Sequence, residues 1–565
     1  MPSRLEHALG TRLALALAIA IPTLVAATSL SIGFLTDDHA FRAALHSTSE
    51  RAPAPYDLFR FIPGDNNQLR IRFGHLSWWA APDLKIHFLR PLTSLAFAAD
   101  DALFGAHPLP YHLVSLAWYL ALLLAAAALF RSILPPPAAT LAVTLFGLSA
   151  AHVEAYAWIS ARHILLAGAF AAASLALRPN HRLLALLTFA IGLAASEATL
   201  AVVPLWLAYD LATPRPLRAR LLSCLPVLAL ALAYLAVYVA LGAGTRASGG
   251  YHDPFSDPLG FLALAAIRIP LFLGTATLTI PAELAHVIPE STLALLGLAS
   301  TAVVVLAFFL TPSSRAPSTR AVLALFLGGI GALALGAAGF PAGRMLLLPN
   351  LAFAPILGLI LYRGLTSRWP GRLLAILLAI AHLLLAPLAT LRTIHKLTDR
   401  AHTTHAIAAR AAALAPPSGR VFLIAASDPM VFLYPRGILA DDFPNAVRCW
   451  SVLSAAHSSH RFTRTGRKTF TLEPLDRPLL DDSFDRLFSD RPFAIGDTVE
   501  QCGASIRVAA VISGRPLRLD ITLRRALEDP ELSWLIWRDH HLEPFIPPPI
   551  GSSIDLPYSP GPSNL

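Results

Sequence analysis

The chain has 565 residues, 55% of them hydrophobic and only 14% charged, with a formal net charge of +9 and a mean hydropathy of +0.59. This excludes an ordinary soluble globular protein, in which about a quarter of residues are charged. The basic balance needs no nucleic-acid partner, because Lys and Arg fall mainly in short segments between apolar runs, where the positive-inside rule puts them.

Arg4 and Arg12 precede Leu13 to Leu35, 23 apolar residues. That run exceeds a signal-peptide core and is long enough to cross a bilayer, so it predicts an uncleaved first span with its N-terminus inside. The next stretch, TDDHAFR, places Asp37 and Asp38 just beyond the membrane boundary. An unpaired carboxylate is too costly to leave in hydrocarbon, so the pair either caps the helix in water or does chemistry there. Residues 36–110 mix charge, aromatics and proline, which predicts an external loop with helices lying in the interface and Trp78, Trp79 and Phe88 at headgroup level.

Tyr111 to Phe130 returns inward to Arg131, and Pro135 to Pro137 stop that helix. Ala138 to Ala150 goes out again to the polar segment AAHVEAYAWISARH, and Ile164 to Leu177 leads back to the basic turn RPNHR. Leu183 to Ala195 and Thr199 to Leu211 predict a hairpin with Ser196 and Glu197 at its outer tip. Several of these runs are shorter than a full span. Arg215, Arg218 and Arg220 mark a cytoplasmic turn before Leu221 to Leu241, an apolar run that carries Cys224 as a small hydrophobe.

If Phe261 to Ile280 crossed the membrane, the basic loops at Arg315 and Arg320 and at Arg363, Arg368 and Arg372 would all lie outside. As an external or re-entrant helix it leaves them inside, and Arg268 in its middle argues the same way. Spans near Ser291 to Leu310, Ala321 to Phe340, Met345 to Tyr362 and Leu373 to Leu391 bring the count to eleven, with the C-terminus outside. After Arg392 short alternating runs predict a β-rich domain of about 150 residues. It ends in PFIPPPIGSSIDLPYSPGPSNL, a disordered tail by its proline content. The expected fold is a polytopic α-helical membrane protein over 1–391 with a C-terminal β-rich soluble domain over 392–565. Cys449 and Cys502 are a pair that an oxidising compartment permits.

The candidate chemistry follows from residue type. Asp37 or Asp38 against an apolar wall would have its pKa raised by desolvation, which makes a better general base than one in bulk water. The plain alternative is a helix terminus. Arg90, Arg162 and Arg344 suit a phosphate, since a guanidinium forks onto it and stays charged; Arg90 precedes Pro91 and so a helix start. The alternative for these is snorkelling to lipid headgroups. Glu154 and Glu197 read as buried carboxylates paired with Arg162, or as ligands of an acceptor or metal. Asp100 and Asp101 read as helix-surface residues, and Asp441, Asp481 and the RDHHLEP segment at Arg538 as loops or turns. His39, His75, His152 and His163 lack a metal-site spacing, and there is no Walker loop, GxGxxG or GxSxG.

Four blocks, RPLTSLAFAADDALFGAHPLPYHLVSLAWYL, AAHVEAYAWISARHILLAG, SEATLAVVPLWLAYDL and GRMLLLPNLAF, follow the acidic pair in that order. Together they resemble the bacterial integral-membrane GT-C glycosyltransferases, nearest to the branch related to TMTC-type and protein O-mannosyltransferases. The resemblance covers about two thirds of the chain. It implies an enzyme of the bacterial inner membrane that moves a sugar from a polyprenyl-phosphate carrier to a periplasmic protein or cell-envelope glycan, with inversion. It implies Asp37 or Asp38 as base, Arg90, Arg162 and Arg344 at the lipid phosphate, and His112, Glu154 and Glu197 as further site residues without an assigned role. It assigns no metal ligand and leaves the need for a divalent metal open. Ser196 stands where relatives often carry Lys, Gly343 where they often carry Glu, and TMTC-type repeats are absent, which puts the acceptor in doubt. The competing reading is a transporter or flippase of polyprenyl-linked glycans, which would place ionisable groups near the bilayer midplane in two related halves.

Overall fold

The computed structural model describes residues 4–49, 52–211, 216–311, 319–364, 367–482 and 484–564. Arg215 and Arg315 lie outside the described residues, as does the side chain of Arg320. The first span, α1 (Arg12–Ala27), starts where Thr11 Oγ1 accepts the Ala14 N–H, and a 3-10 turn extends it to Ser31. There follow α2 (Thr36–Leu45), α3 (Pro91–Phe104), α4 (Pro108–Ile133), α5 (Pro136–Gly147) and α6 (Arg162–Leu177). Next come α7 (Arg182–Ala195), α8 (Val202–Leu211), α9 (Leu217–Ala240) and α10 (Pro258–Leu278). The last of the bundle are α11 (Glu290–Leu310), α12 (Thr319–Gly336), α13 (Asn350–Gly364), α14 (Trp369–Ala379) and α15 (Ala386–Leu414).

Among the described residues seven helices are long and apolar enough to cross a bilayer, and the bent pair of α5 with Ala150–Ala157 would be an eighth. The shorter apolar helices α7, α12 and α13 complete the bundle, so the expected crossings include runs below full length. Helix α13 is buried on nearly every side and forms the centre. There Gly358 meets α5 backbone to backbone: a Cβ on it would fall 2.7 Å from Ala142 N.

Helix α10 is long enough to span, yet it does not run as a crossing partner of α11. Arg268 bonds Glu290, Gly274 touches Gly297, and Thr277 bonds Ser300, so the two helices lie parallel and the chain between them doubles back. Its lower end stops at mid-span of the last crossing, where His382 meets the Thr277 carbonyl at 2.9 Å. This is the geometry of a re-entrant helix, and Arg268 is satisfied by Glu290 and the carbonyls of Ala337 and Gly339.

On the Asp37 side, β1 (Arg60–Ile62), β2 (Lys85–His87) and β3 (Gly244–Arg246) form a small antiparallel sheet. The C-terminal part packs a sheet of order β12-β11-β4-β5 against a six-stranded antiparallel sheet of order β13-β6-β7-β10-β9-β8. In the first sheet β4 (Gly419–Ala425) pairs in parallel with β5 (Val447–Ser454) and β11 (Leu532–Arg538), and β12 (His541–Pro544) closes a hairpin. The second contains β6 (His460–Arg464), β7 (Thr469–Pro474), β8 (Thr498–Gln501), β9 (Ala504–Ile512), β10 (Arg515–Leu523) and β13 (Ser553–Leu556). Cys449 and Cys502 are bonded.

Two expectations are corrected here. The C-terminal tail is ordered: β13 pairs with β6, and Ser563 donates to Asp428. Its prolines flank the four strand residues rather than interrupt them, so the ladder keeps its donors. Trp78 and Trp79 do not lie at headgroup level. Both are 1% exposed and fill the core between the first loop and the C-terminal sheets, with Trp78 Nε1 donating to the Leu453 carbonyl. A buried indole needs a partner for its N–H, and the strand supplies one.

Candidate active site

The loop after the first span turns sharply into α2. Thr36 sits at φ +23°, a strained position for a β-branched residue, and the side chains of Asp37 and Asp38 diverge from there. Asp38 is fully buried: one carboxylate oxygen accepts the Leu35 N–H at 2.8 Å and the other the Ser160 N–H at 2.7 Å. It closes the first turn of α2 and ties it to the segment before α6. Burial raises its pKa to about 6 against the pull of those two hydrogen bonds.

Asp37 is half-buried and has no hydrogen-bond or ion-pair partner among the described residues. Burial, with Asp38 adding to it and Arg344 opposing it, lifts its pKa to about 7. Around it stand groups from five separate stretches. Arg344 pairs with Glu154 and lies 5.6 Å over the Trp158 ring. That pairing holds its guanidinium charged in spite of burial. Arg90 forks onto Glu197, one arm at 2.9 Å, and stacks on Phe59 and Phe88 at 4.7 and 4.5 Å. Tyr251 feels the charges of Arg344, Arg90, Asp37 and Glu197, and Tyr434 those of Asp37, Arg400 and Arg344. His163, bonded to Ser196 at 3.0 Å, faces both Arg90 and Arg344.

The structure thus gathers Asp37, Arg90, Arg344, Glu154 and Glu197, and it separates Arg162 from them. Arg162 is 1% exposed and is consumed by Asp100, Ser115 Oγ and the Tyr111 carbonyl. It braces α3, α4 and α6. Glu154 and Glu197 pair with Arg344 and Arg90 rather than with Arg162, because Asp100 reaches it first. Asp100 and Asp101 are buried, not on a helix surface, since α3 lies beneath the loop. Asp101 takes His46 at 2.9 Å and Tyr111 Oη at 3.1 Å. His112 reaches the Gly33 carbonyl at 3.5 Å, next to the loop that presents Asp37.

A second cluster docks the C-terminal part onto α2. Asp441, at the end of α16 (Pro435–Asp442), accepts from His39 Nδ1 at 2.8 Å and Arg42 Nε at 2.9 Å, which hold its carboxyl below the usual range despite its burial. Asp441 therefore belongs to a helix and an ion pair, not to a free loop. His39, Asp441 and Asp442 bring three ligand-type atoms within 4.8 Å of one another. Arg42 shares the same Asp441 oxygen, so a metal ion there would face a guanidinium, and the group reads as an ion-pair dock in which Asp441 Oδ1 has no partner among the described residues. Sequence reading missed Asp441, Tyr251 and Tyr434; His39 and Asp441 stand 402 residues apart, and no local spacing links them. Two surface cavities of about 530 and 520 Å³ lie along the first loop and the C-terminal part, and neither is lined by Asp37 or its neighbours.

Fold and site together define a polytopic membrane protein with an unpaired carboxylate among paired arginines on the side of its β-rich part. No family model and no curated protein matches the chain. Among solved structures it is similar to the oligosaccharyltransferase of Archaeoglobus fulgidus tethered to an acceptor peptide with the NVT sequon, at 12% identity and a TM-score of 0.40. That similarity covers 76% of this chain, which spans 63% of the other's length. It is also similar to ArnT from Cupriavidus metallidurans bound to undecaprenyl phosphate, at 14% identity and a TM-score of 0.27, over 78% of this chain and 89% of that one. The apo form of ArnT gives 15% identity and a TM-score of 0.30 over 74% and 84%.

Proposed function

We propose that the protein is a membrane glycosyltransferase that moves a sugar from a polyprenyl-phosphate donor to an acceptor hydroxyl outside the cytoplasm, with Asp37 as general base. The observation that carries this reading is the state of Asp37: it alone of the gathered acids lacks a partner, and its pKa near 7 matches a base working at neutral pH. The strained Thr36 and the buried Asp38 support it, because they fix the backbone from which Asp37 projects.

Chemically, Asp37 takes the acceptor proton as the oxygen attacks the anomeric carbon from the face opposite the phosphate. The bond from that carbon to the phosphate oxygen breaks, and the phosphate leaves with both electrons. Arg344 and Arg90 lie where that charge develops and already carry counter-ions, which the phosphate would share or displace. Arg162 is left out of this set, because its donors are spent on Asp100, Ser115 and Tyr111. Glu154 and Glu197 then tune and hold the two arginines. The acceptor, a protein or an envelope glycan, the sugar and the bacterial inner membrane follow from the family resemblance. An inside N-terminus rests on the charge bias of Arg4 and Arg12, and an outside C-terminal domain from near 392 rests on the span count and the change of composition.

The test is transfer from a radiolabelled polyprenyl-phosphate sugar into envelope extract. Asp37→Asn should lower the rate about 10²–10⁴-fold, the range for loss of a general base, while donor still binds. Full turnover by this variant would remove the base.

A further inference from the structure

One ridge runs from the π-helical turn Ile380–Leu385 along α15 toward the Asp37 site. Leu384 and Leu388, each 55% exposed, face outward from the bundle. The next positions at four-residue spacing are Arg392, Lys396 and Arg400. Four residues advance a 3.6-residue helix by about 40° beyond a full turn, so from 388 to 400 the ridge climbs about 18 Å and swings about 120° around the helix. Burial follows that swing: Arg392 and Lys396 are exposed and Arg400 is half-buried. The top of the ridge stands beside the acidic loop, since Leu397 and Ala401 share a core with Ile32 and Leu35, and a Cβ on Gly33 would touch Ala401 at 3.9 Å. Arg400, Asp37 and Arg344 all act on the Tyr434 hydroxyl.

The three cations have no carboxylate partner among the described residues, whereas Arg90, Arg162, Arg268 and Arg344 are each paired. Asp399, on the same helix between Lys396 and Arg400, takes His395 at 3.3 Å. Like charges four apart on a helix repel, and cations beyond a span on the outer side run against the usual charge bias. An anion that visits the ridge explains both. A ligand matching it has an apolar tail beside Leu384 and Leu388 and a phosphate at the level of Arg392.

We propose that this ridge is the loading track of the donor: the leucines take the polyprenyl chain, and Arg392, Lys396 and Arg400 hand its phosphate up to Arg344. This rests on the donor reading given above. The experiment uses the full chain in phosphatidylcholine nanodiscs, titrated with undecaprenyl phosphate and followed by native mass spectrometry, with phosphatidylglycerol and inorganic phosphate as competitors. The Arg392→Gln, Lys396→Gln double variant, both residues being exposed, should weaken undecaprenyl phosphate about tenfold and raise donor KM more than it lowers kcat. The charge-preserving Arg392→Lys, Lys396→Arg pair should restore both. Unchanged affinity in the double variant overturns the track, and so does equal competition by phosphatidylglycerol, which would mark a general anionic-lipid surface. Complete displacement by inorganic phosphate overturns it too, because the tail would then add nothing. The two readings fail separately: normal turnover by Asp37→Asn defeats the base, while loss of binding in the ridge variant would still support the track.

Discussion

The two faces of α2 treat charge in opposite ways. Toward α16 the charges are paired: His39 and Arg42 hold Asp441 through one of its oxygens, Arg42 also approaches Asp101 at 3.7 Å, and His46 takes Asp101. Toward Arg344 the helix shows Asp37, which no donor touches. The first face is a joint and the second is a tool. Asp38 separates them, since its two backbone hydrogen bonds let one face be filled without drawing the other into it. On this helix, then, the side packed on α16 carries its charges in pairs, and the side toward Arg344 carries a carboxylate without a partner among the described residues.

The comparison breaks most severely at Asp441. Asp441→Ala leaves Arg42 and His39 buried without their acid, and the expected loss is about 3–5 kcal/mol, seen as a lower unfolding temperature and faster proteolysis between 392 and 419. Asp38→Asn comes next: it weakens one of two charged acceptors at a buried turn and should cost about 1–3 kcal/mol. Its transfer rate should fall with stability, whereas Asp37→Asn loses rate alone, and thermal scans beside kinetics tell the two apart.

Smaller effects sharpen the contrast. The folded pKa of Asp37 is raised from its ordinary 3.8 to about 7, so whatever stability its neutral form gives is full at low pH and fades as pH rises through 7. Asp37→Asn should then be roughly 1–2 kcal/mol more stable than the parent at pH 8, a figure discounted for the half-exposed side chain, less so at pH 5 and no more stable at pH 3, as thermal melts at the three pH values would show. By the same sign, transfer should rise with pH through about 7 and level above it. A flat profile from pH 5 to 8 would mean that another group takes the proton.

Much of this was legible in the chain. Apolar runs give the helices, and Arg268 inside one of them correctly signals a re-entrant course. Alternating runs after Arg392 give the strands, and Asp37, Arg90 and Arg344, three of the residues the ordered blocks suggest, stand in one neighbourhood around Tyr251. What escaped was pairing at long range. Which arginine meets which acid depends on helix packing, so Arg162 looks equal to Arg344 until Asp100 is seen beneath it. Trp78 and Trp79 have the same amphipathic chemistry whether they meet lipid or protein, and only the core shared with the C-terminal sheets decides, where Trp78 also finds the Leu453 carbonyl. The tail misled because proline content was counted over the whole segment, while β13 needs only four residues free of it.

The close approach at Gly74 bears on how the protein is made. A Cβ there would lie 2.6 Å from the Trp450 carbonyl oxygen and within 3.0 Å of both sulfurs of the Cys449–Cys502 bridge, and Cys502 N–H donates to the Arg72 carbonyl. A segment that leaves the ribosome early thus finds its seat only when Cys449, Trp450 and Cys502, far later in the chain, have been synthesised and the two thiols joined. Until then the nascent loop lacks the surface it packs against.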